Sequence, residues 1–142
     1  MYFPVLSVYC YNGPIRLCNI RNVGWLDKRF PFEQGETSDE FHQALFDLCK
    51  KPIYRTRGYH FCPYCPRPEN WEDNGIVERN GESVGGGTAE IWVRGKGIVI
   101  YAAPNLILHY LIAHRYLPPA AFIEAVLQHD FKKKTECSGG AN

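Results

Sequence analysis

A chain of 142 residues is long enough to bury a core and short enough to be one domain. Its 45% hydrophobic and 22% charged residues are ordinary for a globular protein, while 14% aromatics, 13 Gly and 10 Pro favour a sheet with many turns over a helical bundle. A net charge of +1 excludes a global field that would steer the chain to nucleic acid or an anionic membrane, and leaves only local patches.

From the N-terminus, Met1-Tyr2-Phe3-Pro4-Val5-Leu6 carries no basic region, long apolar stretch or cleavage site, so no signal peptide is expected. No apolar run approaches the ~20 residues that a membrane span needs. The expected location is therefore the cytoplasm, with no membrane partner, where six cysteines should be mostly reduced thiols. Residues 2–10 are apolar and β-rich, which predicts a strand, and Asn12-Gly13-Pro14 predicts a turn into a paired strand over 15–19. A loop over 22–36 follows. Thr37-Ser38-Asp39-Glu40 reads as a capping box with Thr37 as N-cap and Glu40 at N3, and Phe41, Ala44, Leu45 and Leu48 then share one helix face. Lys50 and Lys51 suit the helix C-terminus and Pro52 stops it.

Residues 53–61 should be extended and lead into Cys62-Pro63-Tyr64-Cys65. From 66 to 87 no periodicity survives among Pro66, Pro68, Asn74-Gly75, Asn80-Gly81 and Gly85-Gly86-Gly87, which predicts a long mobile loop. Residues 89–93 and 98–101 predict a hairpin across Arg94-Gly95-Lys96-Gly97. Pro104 should open a helix to about Arg115, apolar nearly all round and hence buried, and Pro118-Pro119 should start a last helix over 120–129 with Phe122, Ala125 and Val126 inward. The polar, Gly-rich tail over 132–142 should be flexible. No repeat or domain boundary interrupts a single domain over 1–131.

The chemistry-bearing pattern is Cys62-x2-Cys65 followed by His109-x4-His114. Zinc takes four soft or borderline ligands in a tetrahedron, and both spacings suit it. Five residues of an ideal helix turn by about 140°, so His109 and His114 share a face only if the helix changes pitch near its end. His60 is the alternative ligand, because His60-x-Cys62 on a strand would point both side chains one way. Four protein ligands would make the zinc structural rather than catalytic, one per chain.

Other readings compete. Cys62-Pro63-Tyr64-Cys65 is the letter pattern of glutaredoxin active sites, but Pro66 and Pro68 follow where an activating helix should begin. A zinc deaminase needs His-x-Glu, which is absent, and the adjacent His or Asp–His pair that an HNH-type nuclease wants on a hairpin does not appear. Glu90 could be a base beside an open zinc, but reads better as a strand residue facing solvent or pairing with an arginine. Tyr54 to Phe61 interleaves aromatics with Arg55 and Arg57, a nucleic-acid-binding pattern that the near-neutral charge disfavours. Cys10, Cys18 and Cys49 read as core residues and Cys137 as a tail thiol.

Several segments together resemble a family of small uncharacterised bacterial proteins: Arg57 to Pro66, Gly87-Thr88-Ala89-Glu90-Ile91, Ile100 to Pro104, His109-Tyr110, His114 to Pro119, and Val23-Gly24-Trp25-Leu26 with Pro31-Phe32. The resemblance covers roughly residues 20–127 and implies a bacterial, cytosolic protein in which His60, Cys62, Cys65, His109 and His114 belong to one unit. The expected fold is α+β, an antiparallel sheet of four or five strands with three helices on one side. The expected function is a zinc-stabilised interaction or regulatory module, of the kind an immunity protein would be, whose partner is another protein. The alternatives are a zinc hydrolase with an open metal position, a CxxC thiol oxidoreductase, and a nucleic-acid-binding module.

Overall fold

The computed structural model describes residues 2–8, 19–51, 54–55, 60–70, 73–87 and 89–129. Its centre is a hairpin of β5, Ala89–Arg94, and β6, Ile100–Pro104, paired antiparallel from Glu90↔Pro104 to Arg94↔Ile100. The expected hairpin is therefore present, with β5 one residue longer than the pattern indicated and the second strand shifted from 98–101 to 100–104. The connection is closed by the Gly95 amide donating to the Val99 carbonyl at 2.7 Å. On the outer side of β5, the short strand β2, Tyr54–Arg55, pairs antiparallel. On the outer side of β6, β1, Ile20–Asn22, pairs parallel in the register Ile20↔Ile100, giving the sheet order β1-β6-β5-β2.

The sheet is thus mixed, which corrects the all-antiparallel expectation. A parallel pair needs a long crossover, and the chain from Val23 to Val99 supplies it. The class itself, α+β, is as expected. Side chains alternate across the central strands: Ile91, Val93, Tyr101 and Ala103 enter the main core with the helices, while Ala102 and Ile20 form a second cluster against Trp92 and Ile100. Glu90 is a strand residue but does not face solvent. It is fully buried and accepts the Trp92 indole N–H at 3.1 Å.

Helix α1 is Asp39–Cys49 and buries Phe41, Ala44, Leu45, Phe46 and Cys49. Its N-cap is Ser38, not Thr37: the Ser38 hydroxyl accepts the Phe41 amide at 3.1 Å, so Glu40 stands one position too early to complete the expected box. Thr37 is engaged elsewhere, with its hydroxyl 2.6 Å from His42 Nε2. Helix α2 is Ile107–His114, and helix α3 covers 120–129 with Phe122, Ala125 and Val126 buried as expected. Pro104 does not open α2. It ends β6, and Asn105-Leu106 make the turn between them. Nor is α2 buried all round, since Ile112 is 48% exposed.

Two other expectations change. The strand over 2–10 is not formed through its described part: Val5-Leu6 is a turn, with the Ser7 amide and hydroxyl both on the Pro4 carbonyl and Leu6 at φ 62. Only Val8 bridges to Arg21, and the rest of the predicted strand pair, 9–18, lies outside the described residues, as does the tail. The apolar residues here satisfy ring contacts rather than a ladder, Tyr2 stacked on Phe30 at 4.1 Å and Phe3 edge-on to Trp25 at 5.4 Å. The unstructured stretch expected over 66–87 contains a hairpin, β3, Val77–Arg79, and β4, Glu82–Val84. Asn80 and Gly81, at φ 52 and 79, form the two-residue turn with both residues at positive φ that tight hairpins prefer. Arg79 bonds Asp39 and Gln43, and Lys50 bonds Glu82, which ties this hairpin to α1.

Replacing Ser38 by Ala should lower the unfolding free energy in urea by about 1 kcal/mol, while Glu40→Gln should change it by less than about 0.5 kcal/mol. The reverse order would restore Thr37 and Glu40 as the capping pair.

Candidate metal centre

Cys62-Pro63-Tyr64-Cys65 is a tight turn, with Cys62 6% exposed and Cys65 half-buried. Opposite it, His109 and His114 project from α2. Cys62 Sγ lies 3.3 Å from His114 Nε2, and Cys65 Sγ lies 3.4 Å from His109 Nε2 and 3.3 Å from His114 Nε2. The four donor atoms all fall within 4.8 Å of one another. A tetrahedral ion with bonds of about 2.3 Å to sulfur and 2.0–2.1 Å to nitrogen sets its S···N edges near 3.5 Å. The cluster has that size and can hold a metal ion.

The end of α2 explains how two histidines five residues apart converge. His114 is the last helical residue, and Arg115 is left-handed at φ 56. The amides of Arg115 and Tyr116 both turn back to the Tyr110 carbonyl, the latter at 3.1 Å, five and six residues away instead of four. The last turn is therefore wide, as in a π-type turn, and swings the second imidazole toward the first. Their rings meet edge to face at 5.2 Å. A segment before α1 fixes this end: the Gln34 side chain donates to the His114 carbonyl at 3.0 Å, Gly35 donates to Arg115 and Leu117 to Glu33. Tyr64, between the two cysteines, packs 5.2 Å from the His114 ring and 5.3 Å from Phe32, and its buried hydroxyl has no hydrogen-bond partner among the described residues.

His60 stands apart from the cluster. Its backbone pairs with the glycine run, donating to the Gly87 carbonyl at 2.7 Å, and it lines a small cavity with Trp25, Asp27 and Leu106. Residues 60–62 are not a strand, so the alternation that would aim His60 with Cys62 does not apply. Sequence reasoning missed the two buried asparagines that hold this region. The Asn74 side chain donates to the carbonyls of His60 at 2.9 Å and Gly86 at 3.0 Å. Asn105, at the entry to α2, accepts the Gly87 amide at 2.8 Å and donates to the Gly85 carbonyl. Gly86 and Gly87 are buried. Gly87 has φ +90, and a Cβ there would collide with the His60 carbonyl oxygen. Gly86 and Gly87 are glycine for close approach, not for looseness.

Burial pushes the Cys62 thiol up to about 11 and lowers both ligand-type histidines, His109 further through the neighbouring His114 charge. Residues 66–70 are not helical. The structure thus holds neither the helix start nor the depressed thiol that a glutaredoxin-like nucleophile uses. The lowering favours the neutral imidazole, the form that ligates a metal. Cys49 is buried, its thiol 3.8 Å from the Asn105 carbonyl and raised to about 12 by burial, which matches its reading as core. Cys10, Cys18 and Cys137 lie outside the described residues, as do 56–59 of the interleaved aromatic and arginine segment. Arg67 covers the described Phe61 ring at 4.2 Å.

Fold and site together define a small α+β domain with a Cys2His2 cluster able to hold a metal ion. The chain belongs to the family described as Domain of unknown function (DUF7919), which matches residues 1–127. No curated protein and no solved structure matches it. Among the described residues, no helix is long and apolar enough to cross a membrane.

With a chelator present, stability should fall as pH drops below about 6.5. His109 and His114 sit below their ordinary value of 6.5 when folded, so in acid the unfolded chain binds more protons and is favoured. A urea midpoint constant from pH 7.5 to 5 would contradict this.

Proposed function

We propose that Cys62, Cys65, His109 and His114 bind one zinc ion per chain as a structural site, and that the domain is an interaction or regulatory module docking on another protein in the cytoplasm. The convergence of the four donor atoms carries this reading. Two thiolates and two imidazoles are a soft-to-borderline set that suits zinc. When bound, the ion would cross-link the turn at 62–65 to the end of α2, and its binding free energy would become folding free energy. Four protein ligands complete a tetrahedron and leave no position for a substrate or attacking water, so a structural role fits better than an open-site hydrolase. A thiol oxidoreductase draws less support, because burial raises the Cys62 thiol.

The interaction role has its own support. Val5, Leu6 and Phe30 are 55%, 41% and 42% exposed. Phe30 stacks on Tyr2, and Tyr2 and Val5 share a groove. Exposed apolar side chains gathered at one place mark partner surfaces more often than scattered ones do.

Elemental analysis of the purified chain should give one zinc per protein. Cys62→Ser and His114→Ala should lose it, while His60→Ala should keep it. Chelation should lower Tm by more than about 10 °C. No metal, or a metal retained in Cys62→Ser but lost in His60→Ala, would overturn the assignment.

A further inference from the structure

We propose that Cys62 and Cys65 form a peroxide-responsive switch, in which hydrogen peroxide joins their sulfurs in a disulfide and so releases the ion they hold. This rests on the structural-zinc reading and adds the regulation of that site.

Both sulfurs come from one turn and lie within 4.8 Å of each other and of the two imidazole donors. A disulfide brings its sulfurs to about 2.0 Å, so the bond closes by movement inside the turn, without displacing α2. Access to the two is unequal. Cys65 is half-buried, whereas Cys62 is 6% exposed. An oxidant from solvent meets Cys65 first, and Cys62 stands behind it as the resolving sulfur. Among the described residues the pair has no rival, since the other thiol, Cys49, is 4% exposed and lies 3.8 Å from the Asn105 carbonyl.

The way the turn is mounted makes the bond a switch. Residues 62–69 make no backbone–backbone hydrogen bond among the described residues. The turn is tied to α2 through its two cysteines and the Tyr64 ring, 5.2 Å from His114. The helix end, by contrast, is held without the ligand atoms. Gln34 donates to the His114 carbonyl, Gly35 to Arg115 and Leu117 to Glu33. Loss of the ion therefore frees the cysteine turn and leaves the end of α2 in place.

In the first step the Cys65 thiolate attacks one oxygen of hydrogen peroxide. An S–O bond forms, the O–O bond breaks, and the departing hydroxide takes a proton to become water. The Cys62 thiolate then attacks the Cys65 sulfur. An S–S bond forms, the S–O bond breaks, and a second hydroxide takes a proton and leaves as water. The two sulfurs give up two electrons and the peroxide accepts them. Neither sulfur remains a thiolate donor, and His109 and His114 alone do not complete a tetrahedron. A disulfide across so short a loop restrains the unfolded chain little and does not replace the cross-link. This is a single stoichiometric event, reversed by a dithiol, and not the turnover of an oxidoreductase.

The test treats the purified, zinc-loaded full chain with excess hydrogen peroxide beside a colorimetric zinc indicator, then maps its cysteines by mass spectrometry. Zinc should appear in solution in step with a Cys62–Cys65 disulfide, one bond per ion. Dithiothreitol with added zinc should restore the original metal content. Cys49→Ala should release zinc as the parent chain does. By hydrogen exchange, the Gly35 and Leu117 amides should stay protected after oxidation. Zinc retained while peroxide is in excess, zinc released with Cys62 and Cys65 unbridged, or Gly35 and Leu117 losing protection as the whole domain unfolds would each overturn the switch. Metal content before peroxide separates the readings. Zinc present at the start and kept throughout removes the switch alone, whereas no zinc at the start removes the structural-zinc reading and the switch with it.

Discussion

Two thiols from a turn and two imidazoles from a helix end meet within 4.8 Å, and most of the surrounding architecture serves that meeting. The pairs are 44 to 52 residues apart in sequence. Bringing them together carries a loop-closure cost. A cross-link by one ion would offset it. The rest of the domain then works as a mount, with the β5–β6 hairpin feeding Pro104 into the turn that starts α2 and the segment at 33–35 holding the far end of that helix.

The second support is the pair of buried asparagines. Asn74 and Asn105 are 3% and 5% exposed and satisfy backbone groups of the glycine run and of His60. Buried amides and carbonyls left without partners would each cost about 1–3 kcal/mol. These side chains therefore fix how the cysteine turn sits against α2 before any ion is considered. The main core, from Phe41 and Phe46 on α1 to Phe122 and Val126 on α3, lies against the same sheet face and sets where α2 can run.

The meeting of Cys62, Cys65, His109 and His114 was largely legible in the sequence because these candidate ligands are few and chemically distinctive. Cys62-x2-Cys65 and His109-x4-His114 mark themselves by residue type. The choice between His60 and His114 was not legible. It depends on a left-handed Arg115, a position where glycine is usual, and on whether 60–62 forms a strand. The α+β class followed from alternation in β5 and β6 and from the helical face of α1. The parallel partner β1 did not, because pairing across Val23 to Val99 leaves no local trace. The β3–β4 hairpin was present in the letters, with Asn80-Gly81 between Val77-Glu78-Arg79 and Glu82-Ser83-Val84. It was hidden by the surrounding glycines and prolines, which read as punctuation of a loop. Residues 2–8 misled in the opposite sense: an apolar run looked like a strand, but Pro4 and two aromatic contacts take it into a turn. A domain family of unknown function was expected, and the family model matches residues 1–127, a longer stretch than the 20–127 of the resemblance.

The central claim is that the four side chains share one ion. X-ray absorption at the zinc edge on the purified chain tests it most directly. Two sulfur neighbours near 2.3 Å and two imidazole nitrogens near 2.0 Å are predicted. An absent zinc edge, or a first shell of oxygen atoms with no sulfur, would contradict it.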